Sequence, residues 1–225
     1  MELRFIEIKF HPNVETLRDK LGLGQDSDEA EDFVGLLEKA LPYARPKAAL
    51  GTAVIDSIDE SGKVVIEGVE FHSPLLAKNL EGIRNAWPYL ATCGRELYEF
   101  TQSIPDPFER FWLDAVMQQA LTEVRAAMTQ LLADELYEGK TAAMGPGSLE
   151  EWPISQQKPL FRLLGEAPEK CGVTLTDTML MLPNKSVSGI FFPNEHGYVN
   201  CRLCPRENCP NRKAPYDQEF DPMNM

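Results

Sequence analysis

The run from Asp106 to Tyr137 constrains this chain more than any other segment. It opens on Asp106-Pro107-Phe108-Glu109, where an Asp can cap, a Pro takes the first helical position and a Glu three residues on can reach back as in a capping box. Leu113, Met117, Leu121, Val124, Met128 and Leu131 then recur at three and four residues. That period places them on one stripe of a long amphipathic helix, and such a stripe needs a core to pack on. A Met stripe at this spacing is core far more often than a cofactor box.

The flanking segments supply the rest of that core. Glu2–Phe10 reads as a strand with a bulge, and Asn13 caps a helix to about Leu21, stopped by Gly22 and Gly24. Asp28 with Glu31 starts a second helix carrying Phe33, Leu36, Leu37 and Leu41, which Pro42 and Pro46 end. Val54–Ser57 and Val64–Phe71 read as two strands about Asp59-Glu60-Ser61-Gly62. Ser73-Pro74 opens a helix to about Asn85. Tyr89–Thr92 forms a short buried strand, broken by Gly94. Residues 139–147 read as loop, and Ser155 caps a helix to about Leu164. Val173–Leu175, Met179–Leu182 and Val187–Phe192 read as strands, with Tyr198 and Val199 as a further one. The last dozen residues are polar and Pro-containing. Strands and helices mix without βαβ alternation, so the expected class is α+β. No repeat or linker divides the chain, which is read as one domain over 1–225: an N-terminal part (1–105), the long helix (106–138), a loop-and-sheet part (139–200) and a Cys-rich tail (201–225).

Composition narrows the function. The 225 residues carry 22 Lys or Arg against 35 Asp or Glu, a net charge of −13. That argues against a nucleic-acid partner, because phosphate-backbone binding needs a basic field. No stretch approaches the roughly 20 apolar residues of a membrane span. Met1-Glu2-Leu3-Arg4 lacks the basic start and apolar core of a signal peptide. Five cysteines, an odd number, suit a cytoplasmic protein with reduced or metal-bound thiols. The acidity is uneven. Residues 1–140 hold 14 basic against 25 acidic residues (−11), residues 141–225 hold 8 against 10 (−2), and 201–213 hold 4 against 1 (+3).

Three of the cysteines fall in Cys201-x2-Cys204-x4-Cys209, with Arg212 where a second C-x2-C would place its fourth Cys. Thiolates at this spacing suit zinc or an iron–sulfur cluster, and the neighbouring Arg202, Arg206, Arg212 and Lys213 would lower thiol pKa. A structural zinc needs four ligands; Cys171, His196 or a partner group are the candidates for the fourth. The alternative is three reduced thiols in a loop. His11, His72 and His196 form no ligand pair, and no G-x-S-x-G is present. Cys93 reads as a small buried residue. Gly145-Pro146-Gly147-Ser148 is either a plain turn or a loop allowing close ligand approach; its spacing is not that of a Walker or dinucleotide loop. Glu123 sits at the edge of the helical stripe, where a carboxylate either is solvated or holds a ligand cation.

Gly145-Pro146-Gly147-Ser148, Trp152-Pro153-Ile154-Ser155-Gln156-Gln157, Leu160–Leu164, Gly172–Thr176, Met181-Leu182-Pro183 and Lys185-Ser186-Val187-Ser188-Gly189 together resemble the activation domain of cobalamin-dependent methionine synthase, in the order and spacing of its last third. Ala91-Thr92-Cys93-Gly94 and Asp114-Ala115-Val116 resemble its helical middle, and the front resembles stand-alone members. The resemblance implies helices packed around a twisted, largely antiparallel sheet. It implies docking on a corrinoid-binding protein or methyltransferase, whose inactive Co(II) is reduced to Co(I) and methylated by S-adenosylmethionine. It implies a ligand pocket around Glu123, Gly145, Gly147, Ser148 and Tyr198. The family motif Arg-x-x-x-Gly-Tyr places Ala143 at the Arg and Ser148 at the Tyr, so the Arg that binds the ligand carboxylate is replaced by a residue that cannot. The cysteine set Cys201, Cys204 and Cys209 resembles the Cys-rich C-terminus of stand-alone anaerobic members. A non-catalytic metal-binding module of the same fold, and a binding protein for another small ligand, are the alternative readings.

Overall fold

A computed structural model of the chain describes residues 1–24, 27–195, 197–209, 212–217 and 219. Strand β1 (Glu2–Glu7) leads into helix α1 (Val14–Leu21), where the Asn13 side chain accepts the Thr16 N–H and Gly22 closes the end at φ +71°. Helix α2 (Asp28–Ala40) is capped by Ser27, whose hydroxyl accepts the Ala30 N–H. Strand β2 (Lys47–Ile58) follows. It is far longer than the Val54–Ser57 expected from sequence, because its early run (Ala48-Ala49-Leu50-Gly51) is buried on both faces and shows no alternation.

Val64–Phe71 is a hairpin rather than one strand. β3 (Lys63–Ile66) and β4 (Val69–His72) are joined by Glu67 and Gly68, both at positive φ, as a two-residue primed turn requires. Helix α3 (Pro74–Leu80) starts at Ser73, whose Oγ accepts the Leu76 N–H. It stops well short of Asn85, which instead begins β5 (Asn85–Thr92). Helix α4 (Arg95–Ser103), unforeseen from sequence, follows Gly94 with no side-chain cap. The long helix α5 (Pro107–Leu131) starts at Asp106, which accepts the Phe108 N–H, and ends in a π-helical turn at Leu132–Leu136.

Residues 139–147 are not all loop, for β6 (Thr141–Met144) lies among them. Helices α6 (Gln157–Leu164) and α7 (Ala167–Cys171) precede the short strands β7 (Thr174–Leu175) and β8 (Met181–Leu182). Strand β9 (Ser186–Pro193) comes next. Tyr198 and Val199 form no strand; they lead into a last short helix, α8 (Asn200–Leu203).

Seven strands form one sheet in the order β4-β3-β2-β5-β9-β6, with β1 on β2, and every pairing is antiparallel. β1 and β3 share one edge of β2, β1 along Lys47–Thr52 and β3 along Ile55–Ile58. The centre joins distant parts of the chain, with Trp87 of β5 opposite Phe191 of β9. Helices cover both faces. Ala48, Leu50, Trp87, Tyr89 and Ala91 face the core built with α1, α2, α4 and α5, in which Phe33, Leu113, Val116 and Val124 are fully buried. Ala49, Ala53, Leu90, Ile190 and Phe192 face a second core built with α3, α6, α7 and Trp152. The class is α+β, as expected. Among the described residues no helix is long and apolar enough to cross a membrane.

Candidate functional site

The Gly145–Ser148 segment follows β6 as a closed turn. The Ser148 N–H donates to the Gly145 carbonyl at 3.1 Å, and the Ser148 hydroxyl donates to the same oxygen. Gly147, at φ +79°, donates its N–H to the Trp152 carbonyl at 2.7 Å. A side chain at Gly145 would lie 2.6 Å from the Ser188 carbonyl oxygen, and one at Gly147 would meet Ile154. These glycines therefore let β6 and the Trp152 segment close on β9 and on each other. Trp152 is fully buried, edge-on to Phe71 with centroids 6.2 Å apart. The Trp152 indole N–H, Gln157 Oε1 and Ser188 Oγ are buried polar atoms with no hydrogen-bond partner among the described residues.

Glu123 lies elsewhere, on α5, where its carboxylate accepts the His11 N–H at 3.4 Å and holds the β1–α1 connection. Tyr198 is buried. Its ring lies 5.9 Å from that of Phe192, its hydroxyl donates to Asn200 Oδ1, and its backbone is tied at both ends to the Asn194 amide (2.7 and 2.9 Å). Burial, and then the nearby Glu151 carboxylate, push the Tyr198 phenol above its ordinary range. Ala143 pairs with Phe191 on the face turned to the α5 core.

Of the five residues expected to form a ligand pocket, only Tyr198 lines the main cavity. This cavity, of about 620 Å³, opens where β5 begins and β9 ends; two others measure about 450 Å³ each. Five segments build it. The end of α3 gives Lys78 and Asn79, and the following turn gives Glu81, Gly82, Ile83 and Arg84. β5 gives Asn85 and Trp87, the π turn and the residue after it give Leu136 and Tyr137, and the end of β9 with the stretch after it gives Pro193, Asn194, Glu195 and Tyr198. The π turn aims Tyr137: its N–H reaches the Leu132 carbonyl at 2.9 Å, and its ring leans on Trp87, centroids 5.2 Å apart at 42°. Gly139 allows this, since a side chain there would strike the Tyr137 ring. A cavity of this size, with an aromatic wall and a few convergent polar groups, suits a cofactor-sized molecule. Apart from Tyr198, sequence reasoning pointed to none of these residues; the only local hint is the Gly82 turn.

The cysteines fall into two environments. Cys93 and Cys171 are buried, and loss of water pushes their thiols from 9.0 up to about 12 and about 11. At Cys93 the Lys185 ammonium, paired with Asp114 at 2.9 Å, only partly opposes this. Cys201, Cys204 and Cys209 are half-buried and free of disulfides. The organiser of their loop is Arg212. Its guanidinium donates to the carbonyls of Cys201 (3.0 Å), Cys204 (3.1 Å), Ala214 (3.1 Å) and Arg206, while Cys201 Sγ accepts the Lys213 N–H at 3.3 Å. Among the described residues, no three His, Cys, Asp or Glu side chains gather closely enough to hold a metal. His196, a candidate fourth ligand, lies outside the described residues.

Residues 118–212 match the family model described as vitamin B12 dependent methionine synthase, activation domain. They run from the middle of α5 to Arg212 and so include β6, the Gly145–Ser148 turn, β9 and the three tail cysteines. No curated protein matches the chain by sequence. Among solved structures, the MetH reactivation domain bound to AdoHcy is similar at a TM-score of 0.60 and 14% identity, over 89% of this chain and 81% of that chain. The expected resemblance therefore stands: residues 118–212 match the activation domain of vitamin B12 dependent methionine synthase, and the chain has the fold of a MetH reactivation domain.

Proposed function

We propose that this chain reactivates a corrinoid-dependent methyltransferase, using an S-adenosylmethionine-class ligand bound in the cavity lined by Trp87, Tyr137 and Tyr198. The observation that carries the reading is the family match over 118–212; the AdoHcy-bound relative supports the ligand class. The partner is a corrinoid-binding protein whose cobalt is the substrate. One electron from a reductase takes Co(II) to Co(I), and Co(I) then takes the methyl cation of S-adenosylmethionine, giving methyl-Co(III) and S-adenosylhomocysteine. In this chain the Tyr137 ring, supported by Trp87, receives the flat part of the ligand, and the part-buried Asn194–Tyr198 ties hold the rim in place. Neither Ala143 nor Ser148 supplies the family's motif contacts. Ala143 packs toward the α5 core, and the Ser148 hydroxyl is spent within its own turn. The chain acts as one domain, which the β5–β9 pairing between front and back parts supports. Its place is the cytoplasm, where five disulfide-free cysteines stay reduced.

The test is anaerobic. A corrinoid methyltransferase trapped as Co(II) is mixed with a chemical reductant, S-adenosylmethionine and this protein. The cob(II)alamin paramagnetic signal should disappear faster than without the protein, with S-adenosylhomocysteine formed in equal amount. An unchanged rate with corrinoid proteins from several methyltransferase classes overturns the reading.

A second reading concerns the tail, favoured by three half-buried thiols crowded within nine residues of a basic loop. Here Cys201, Cys204 and Cys209 bind zinc or an iron–sulfur cluster, which requires the Arg212-tied loop to open and gather the sulfurs. Anaerobically purified protein should carry zinc or iron in proportion to protein and lose it in Cys204→Ser. Metal-free protein with three titratable tail thiols removes this reading and leaves the first untouched.

A further inference from the structure

Two cations line the 620 Å³ cavity, and they differ in what they have left to offer. The Lys78 ammonium already pairs with Glu81 at 3.3 Å. The Arg84 guanidinium has neither an ion pair nor a hydrogen bond among the described residues, and its side chain is exposed. Its backbone, by contrast, is fixed: the Arg84 carbonyl accepts the Ile55 N–H at 2.9 Å, and the turn before it closes through Ile83 N–H to Leu80 oxygen at 3.0 Å. A planar five-donor fork thus stands on a pinned base at the rim of a cavity lined by the half-buried Tyr137 ring, which the buried Trp87 supports. A guanidinium so placed is matched to a carboxylate, which it can hold through two parallel N–H donors. The Tyr137 ring is matched to a flat ring.

We propose that Arg84 is the carboxylate anchor of this cavity, fixing the amino-acid end of a nucleoside-bearing ligand whose ring lies against Tyr137. This rests on the cavity reading above and goes beyond it by assigning the anchor to the α3–β5 turn, on a different element from residue 143.

Calorimetry with two probes tests it: S-adenosylhomocysteine, which has the carboxylate, and 5′-methylthioadenosine, which lacks the amino-acid end. Wild type should bind the first more tightly. Arg84→Ala should weaken S-adenosylhomocysteine roughly 10- to 100-fold, the usual worth of a charge-assisted bond, and leave methylthioadenosine unchanged. Arg84→Lys should fall between, because an ammonium keeps the charge and loses the fork. An unchanged urea midpoint for both variants, expected of an exposed side chain, confirms that the fold is intact. Equal weakening of both probes, or of neither, overturns the anchor. Equal wild-type affinity for the two probes also overturns it, while the cavity reading survives. Binding of neither probe to wild type overturns the cavity reading and the anchor together.

Discussion

The Gly145–Ser148 turn and the cavity lie close together, Asn79 of the cavity reaching Met144 just before the turn, and are built on opposite principles. The Gly145–Ser148 turn spends its own polar groups locally, although the Trp152 indole and Ser188 hydroxyl beside it have no partner among the described residues: Ser148 bonds Gly145, Gly147 bonds Trp152, and Gly145 lies against the β9 backbone. The cavity leaves Arg84 unpaired among the described residues and has the half-buried Tyr137 ring on its lining, with the buried Trp87 packed against that ring. Sequence motifs drew attention to the first region, yet the second has the room and the donors for a ligand. A motif of glycines and hydroxyls marks where the backbone must come close, and here what comes close is the protein's own sheet.

If this contrast is right, substitutions around the turn change stability and leave the cavity's chemistry alone. The largest effect is expected for Trp152→Ala, which empties a fully buried site against Phe71 and should cost about 3–5 kcal/mol in urea denaturation. A cost near zero would mean the turn region is not core. Next comes Gly145→Ala, which must push β6 off β9 to clear the Ser188 carbonyl, at about 1–3 kcal/mol by the same measurement. Ser148→Ala removes one hydrogen bond within the turn and should cost about 1 kcal/mol. Loss of ligand affinity in this variant, with stability intact, would reverse the roles assigned to the two regions.

The smallest effect probes an electrostatic link between them, since Glu151 of the turn segment bears on the Tyr198 phenol of the cavity. A folded-state pKa raised above the ordinary 10.0 favours the neutral phenol. Its contribution is therefore complete below pH 10.0 and is lost as pH rises past that value toward the raised pKa. Glu151→Gln, by removing the lesser of the two causes, should move tyrosinate formation at this residue slightly toward lower pH in an absorbance titration. A shift the other way would separate the two regions altogether.

What could be read in the sequence follows from how local each signal is. Asn13, Ser73 and Asp106 announce their helices because a cap acts within three residues, and all three accept the N–H groups that caps should. Helix α4 was hidden because Gly94, at φ +98°, lies against the Arg45 carbonyl and starts the helix with no side-chain cap to read. The Glu67-Gly68 turn was hidden inside an apolar run, and β6 inside a Gly-rich stretch, since β6 is a strand only by virtue of β9. The candidate site was least legible. Tyr198 was named from a resemblance, whereas Arg84, Trp87 and Tyr137 come from separate elements and become neighbours only once the sheet has formed.

That sheet sets the order in which the molecule can come together on a ribosome. β5 lies at its middle, yet one of its two edges is closed only by β9, which leaves the ribosome after α4, α5, α6 and α7. Until then the nascent chain holds Trp87, Tyr89 and Leu90 on a strand with an unsatisfied ladder edge, the kind of surface that recruits other chains. Closing so long a loop is entropically costly and slows the last step of assembly. α5, made first and packed on Trp87 and Tyr89 through its own apolar stripe, is the element that can shield that strand while it waits.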